Sequence, residues 1–147
     1  MASIISKIIF FFTPSKSTKL NKRNGSLKII DSTIGPESKF EDLVSVFGEN
    51  LKELYSFVEN YKVYKIDLPD DEYVYGVHFV NDKLSVITLY LKEGNQRGWS
   101  DWNAESEKKA NAKVLENLGG KAEYLWGKVA LYYDAKAGYT DVRIIYK

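Results

Sequence analysis

The sequence predicts an α+β fold: an antiparallel sheet of about five strands, a three-strand meander plus a C-terminal hairpin, packed with two or three helices. Three observations carry that expectation. Apolar residues alternate with a period of two from Tyr61 to Leu91, broken by two turn signals. Two further apolar runs near the C-terminus flank a short glycine-containing turn. Segments with helical spacing and capping residues lie before and after the meander.

Taken in order, residues 1–26 form a basic N-terminal arm and linker, and residues 27–147 a single α+β domain. Ile4–Phe12 is apolar but interrupted by Lys7 and followed by no small-residue cleavage site. It therefore reads as a strand or docking arm that stays on the mature chain, not as a signal peptide. Residues 13–26 are polar, with Pro14 and Gly25, and read as a loop. Leu27–Ile30 is a short apolar run that starts the ordered body.

A helix is expected from Ser38, three residues before Glu41 in capping-box spacing. Glu37, Glu41 and Asp42 place acid at its positive end. Phe40, Leu43, Val44 and Phe47 share a face, and Gly48 stops it. Leu51, Leu54, Tyr55 and Val58 suit a second helix, with a strand as the rival reading.

The meander comprises Tyr61–Ile66, a run from Tyr73 to Val80 and a return over Leu84–Leu91. Pro69-Asp70-Asp71 and Asn81-Asp82 are its turns. A third helix starts at Ser100 or Asp101 and ends near Leu118 before Gly119-Gly120. Tyr124–Tyr133 and Thr140–Tyr146 then pair across the turn Asp134–Gly138.

Composition removes several function classes. The 147 residues contain no cysteine, so disulfides, thiolate metal sites and cysteine nucleophiles are excluded. His78 is the sole histidine, which excludes a histidine pair. Set in a strand between Val77 and Phe79, it reads as structural. No phosphate-binding glycine loop and no Gly-x-Ser-x-Gly elbow occurs. Net charge is +1, unevenly distributed. Residues 1–30 carry six basic groups and no acid, leaving 15 basic groups against all 20 acids in residues 31–147, a net of −5. That balance argues against a nucleic-acid coat, and no apolar run approaches the ~20 residues of a membrane span.

Two features are candidates for recognition. Asp67, Asp70, Asp71 and Glu72 crowd around Pro69, as a solvated turn, an acidic contact patch or a carboxylate site. Aromatic residues make up 14% of the chain, and Trp99 beside Arg97-Gly98, or Tyr73, is the expected exposed anchor, whereas Trp126 is expected in the core. The candidate partner-binding set is thus Asp67, Asp70, Asp71, Glu72, Tyr73 and Trp99, with no catalytic, metal or cofactor residue. Neutralising Asp70 and Asp71 together is expected to slow association and leave the fold intact.

From Gly98 the sequence reads Gly-Trp-Ser-Asp-Trp, then a charged helix ending Leu-Gly-Gly. Tyr-Leu-Trp-Gly-Lys-Val-Ala-Leu-Tyr-Tyr-Asp-Ala-Lys-Ala-Gly follows, with a closing strand that ends at Tyr146. This stretch, about residues 98–146, resembles a group of small bacterial proteins encoded beside polymorphic toxins and contact-dependent growth inhibition systems. The upstream Ser-x-x-Glu-Asp and Phe-Gly-Glu pattern also fits them. The resemblance implies an immunity protein, or antitoxin: a non-enzymatic cytoplasmic binder that neutralises a cognate toxin domain, possibly a nuclease, by protein–protein contact, without cofactor, nucleic acid or membrane. Two alternatives stay open. One is a small-ligand-binding or carboxylate-based enzyme of α+β cup type, the other an envelope-associated binding module that uses Ile4–Phe12 for export.

Overall fold

The computed structural model describes residues 18–92, 104–134 and 139–147, with residues 55–58 and 104–107 as backbone alone. The described chain is α+β, with ten strands in place of the expected five. Strands β1 (Thr18–Leu20), β2 (Leu27–Ile29) and β3 (Ser32–Ile34) form a small antiparallel sheet. Helix α1 (Phe40–Phe47) and a 3-10 turn lead into β4 (Leu51–Val58), β5 (Tyr61–Ile66), β6 (Tyr73–Val80) and β7 (Lys83–Leu91). Helix α2 (Ala104–Asn117) precedes β8 (Ala122–Tyr124), β9 (Gly127–Asp134) and β10 (Tyr139–Tyr146). The large sheet has the order β4-β5-β6-β7-β10-β9-β8 and is antiparallel throughout.

Several expectations change in detail. The segment 51–58 is a strand, not a second helix. Register shifts between Glu53 and Tyr55 and between Ser56 and Val58 insert extra residues against β5. Such bulges break the two-residue period and imitate helical spacing. Residues 18–20, expected in the linker, pair with residues 27–29. The run 124–133 is split by a turn at Leu125-Trp126 into β8 and β9. The first helix is capped one residue later than expected: Lys39 is the N-cap, and its amide donates to Asp42 Oδ2 at 3.0 Å. Ser38 instead accepts from the Gly35 amide through Oγ and closes the preceding turn.

One face of the large sheet holds the core. Tyr64 and Ile66 of β5, then Tyr73, Tyr75, Val77 and Phe79 of β6, face Ile87, Leu89, Val142 and Ile144 farther along the sheet. Leu27, Ile29 and Ile34 of the small sheet, Leu43 and Phe47 of α1, and Val114 and Leu118 of α2 close over them. Buried Asn111 ties α2 to the strand ends. Its Nδ2 donates to the Thr140 carbonyl at 3.1 Å and hydroxyl at 2.6 Å, and its Oδ1 accepts from the Leu91 amide. The helix ends as a Schellman-type stop, with Gly120 N–H donating to Leu115 O and both glycines at positive φ.

Trp126 joins the two ends of the described chain. Its Nε1 donates to Lys22 O at 2.8 Å, its ring lies against Gly25, and it stacks on Tyr124 with centroids 4.8 Å apart. Tyr146 Oη donates to Gly25 O at 2.6 Å. A side chain at Gly25 would displace the indole, so this glycine is a packing requirement of the small sheet.

Candidate functional site

The β5–β6 turn gathers the acidic residues but assigns them different roles. Asp67 Oδ1 meets Lys92 Nζ at 2.8 Å, and Oδ2 lies 3.8 Å from Lys65 Nζ. The Lys92 hydrogen bond and the surrounding lysine charges hold the Asp67 carboxyl below the usual carboxylate range. Lys92 also donates to Leu68 O, which closes the turn. Asp70 is exposed and Glu72 half-buried.

Asp71 and Tyr73 depart from the expected contact set. Asp71 is 5% exposed, and its Oδ2 accepts from Tyr75 Oη at 2.6 Å while Oδ1 accepts from the Tyr73 amide at 3.1 Å. Tyr75 Oη in turn shares a 2.8 Å hydrogen bond with Thr18 Oγ1 of β1. Asp71 is therefore a fastener between the turn, β6 and the small sheet. Tyr73 is 2% exposed, with its hydroxyl accepting from Asn117 of α2 at 3.1 Å, so it is a core residue and no exposed anchor. Within β6, Tyr73 and Tyr75 share the packed face, and the turn just before the strand brings the Asp71 carboxylate against them. Trp99 lies outside the described residues.

The other face of the large sheet carries a mixed pocket of about 230 Å³, lined by Leu54, Val63 and Val74 as well as by polar side chains, that the sequence did not announce. Its floor is one cross-strand row. Lys65 of β5 pairs with Gly76 of β6, Gly76 with Thr88 of β7, and Thr88 with Arg143 of β10. The walls include His78, Tyr90, Tyr139 and Asp141. Asp141 is 2% exposed and accepts from Arg143 Nε at 2.8 Å. Burial raises the Asp141 carboxyl, and Arg143 and Tyr139 act against that rise. Arg143 also lies over the Tyr132 ring, 4.7 Å from its centroid. His78 Nδ1 is hydrogen-bonded to Tyr61 Oη at 2.8 Å. Burial first, and the Arg143 charge second, push the imidazole pKa down to about 4, so the ring is neutral near pH 7.

Chemically, the pocket offers donors and positive charge rather than a catalytic chain. His78 Nδ1 has the Tyr61 hydroxyl as its partner. Among the described residues, no three His, Asp or Glu side chains converge as a metal cage. At the far edge of the sheet, Leu125 stands 96% exposed in the β8–β9 turn, whose next residue Trp126 is fixed by its contacts to Lys22 and Tyr124.

The fold itself has a solved counterpart. A chain of the structure described as "Rhs1-CT in complex with cognate immunity protein RhsI1" is similar to this one with a TM-score of 0.59. The match covers 88% of this chain and 87% of that chain, at 12% identity. At that identity the likeness is one of fold. No family model and no curated protein matches the chain.

Proposed function

We propose that the protein is an immunity protein, which binds a cognate bacterial toxin domain in the cytoplasm of the producing cell and neutralises it by protein–protein contact. The observation that carries this reading is the fold likeness to a chain of a toxin–immunity complex, spanning 88% of the residues. The chemistry of this chain favours the binding role over the toxic one. Its sole histidine is partly buried against Tyr61, it has no cysteine, and its described acids are engaged in the turn, in the β10 ion pair or at the surface. In this reading Asp67, Asp70 and Glu72 form a charged rim that sets encounter rate and salt dependence, with Trp99 as an apolar anchor, and Asp71 and Tyr73 hold the rim in place.

The test is protection. The toxin domain encoded beside this chain's gene is expressed in cells with and without the protein, and the purified pair is run on a sizing column. Restored growth together with a stable complex is the expected result. Unrelieved toxicity with the protein in excess, and no complex, would overturn the reading.

A further inference from the structure

The pocket on the sheet face opposite the core gathers polar groups from four strands. A glycine in mid-strand weakens a sheet and offers nothing to pack. At Gly76 the space over the strand is taken by the Thr88 side chain: a Cβ there would collide with Thr88 Oγ1, so the glycine lets that hydroxyl stand between the two strands. Along the same row, Lys65 and Arg143 flank the Gly76–Thr88 pair, one on each side. Three strand spacings separate their backbones, about 14 Å, a span that two long side chains cover from both ends. His78 Nε2 lies 3.7 Å from where a Gly76 Cβ would stand, so the free ring nitrogen faces the same space.

The charge sum selects the occupant. Asp141 is the pocket's carboxylate, and Arg143 Nε already offsets it. The Nη groups of Arg143 remain as donors, and the Lys65 ammonium has only its 3.8 Å contact to Asp67 Oδ2 at the rim, with the Thr88 and Tyr90 hydroxyls beside them. A cationic guest would have to displace Arg143 or Lys65 from its carboxylate and would find no charged acceptor free of a partner cation. An apolar guest would touch Leu54, Val63 and Val74 but leave the Arg143 and Lys65 donors stripped of water, which costs roughly 1–3 kcal/mol for each one left unpaired. A planar anion suits the guanidinium fork, and the volume admits a group the size of one side chain.

We propose that this pocket binds a carboxylate, and that in the complex with the toxin domain the occupant is an acidic side chain of the toxin. The identity of that carrier rests on the function proposed above, whereas the pocket's preference for a carboxylate does not. Arg143 and Lys65 supply the charge, Thr88 and His78 orient the oxygens, and Gly76 makes room for the Thr88 hydroxyl.

His78 makes the test direct, because the chain has one imidazole and its NMR signals report on this pocket alone. Propionate, the end group of a glutamate side chain, is titrated into the full chain, with propionamide and inorganic phosphate as comparison probes. Saturable movement of the His78 ring signals with propionate but not propionamide is expected, and loss of that movement in Lys65→Met and Arg143→Gln. Arg143→Gln also releases Asp141, so Lys65→Met, at a half-exposed side chain, keeps the experiment decisive if the former fails to fold. Unmoved ring signals, equal response to the amide, or response to phosphate alone would overturn the carboxylate site.

The second arm uses the toxin domain. Lys65→Met is expected to weaken the complex about tenfold or more by leaving an acidic side chain without its partner. A complex that forms with unchanged affinity would overturn the toxin side chain as occupant, and a positive propionate arm would then assign the site to a free small carboxylate. Absence of any complex would overturn the toxin-binding function itself, and the propionate arm still decides the pocket.

Discussion

Replacing Asp71 separates a structural acid from a proposed docking acid, Asp70, within one turn. Its carboxylate accepts from Tyr75 Oη at 2.6 Å and from the Tyr73 amide at 3.1 Å, inside a site where Tyr75 is wholly buried. Hydrogen bonds to a charged group contribute about 1.5–3 kcal/mol each. Asp71→Ala removes two, but Tyr75 Oη keeps Thr18 Oγ1 as a partner. The expected loss is therefore about 3 kcal/mol. Asp71→Asn is milder, about 1 kcal/mol: its Oδ1 still accepts the Tyr73 amide, and its Nδ2 can donate to Tyr75 Oη, which turns its own proton to Thr18. Asp70→Ala, at an exposed site, stays within about 0.5 kcal/mol of the parent. Urea unfolding reads all three. With a slope of about 1–3 kcal/mol per molar, Asp71→Ala lowers the midpoint by roughly 1–3 M while Asp70→Ala barely moves it. Equal midpoints for the two alanine variants, or an Asn variant as unstable as the Ala one, would refute the assignment. The same geometry changes what is expected of neutralising Asp70 and Asp71 together: that variant alters stability as well as association, and Asp70→Asn alone is the clean probe of the rim.

Three other outcomes follow from the geometry. Gly127→Ala directs a Cβ into the Ile145 carbonyl, backbone against backbone, so a loss of about 3 kcal/mol or more, seen as a collapsed melting temperature or insolubility, is expected; a melt within a few degrees of the parent would contradict it. Asn111→Ala removes both bonds to buried Thr140 and should cost about 2–3 kcal/mol in denaturant unfolding, with no loss if the Thr140 hydroxyl is satisfied elsewhere. For His78, the folded pKa is depressed from 6.5 to about 4, so the unfolded chain takes the proton first as pH falls. Its contribution is intact above pH 6.5 and lost progressively towards pH 4, by about 2 kcal/mol once the ring's partial solvent access is allowed for. Raised Asp141 works in the opposite direction as acid is added, and His78→Gln should remove the loss between pH 6.5 and 4 in a pH series of unfolding curves.

The parts of the fold that could be read from the chain are those with enough residues to show a period. β5, β6 and β7 alternate over six to nine residues, and Asn81-Asp82 adopts positive φ at both positions, as a two-residue hairpin turn demands. β1, β2, β3 and β8 are three residues each, too short for alternation to stand out from chance. β4 was obscured by its bulges. Within the acidic turn, composition revealed the cluster but not its division. That division is set by the turn before β6, which brings the Asp71 carboxylate against Tyr73 and Tyr75. The pocket had no local signal either. Lys65, Gly76, Thr88 and Arg143 come together only through the order β5-β6-β7-β10, and the last of these strands arrives after α2 and two further strands.

One sheet therefore divides neighbouring residues between two tasks. Tyr75 and Val77 hold the core, and Gly76 and His78 between them open on the pocket. Val142 and Ile144 are wholly buried in the core, while Asp141 and Arg143 form the pocket's ion pair. This alternation gives the pocket a rigid backing, because Lys65, Gly76, His78, Thr88 and Arg143 are each flanked along their strands by two core residues. It also fixes how a substitution should be interpreted. A change on the packed parity acts on both faces, since the strand position itself shifts, and weakened binding there is inseparable from weakened folding. A change at Lys65, whose side chain reaches the pocket from its rim, alters recognition without touching the core. Loss of partner affinity at unchanged stability is thus informative at Lys65 or Asp70, and uninformative at Asp71, Tyr73 or Tyr75, however close in sequence these residues lie.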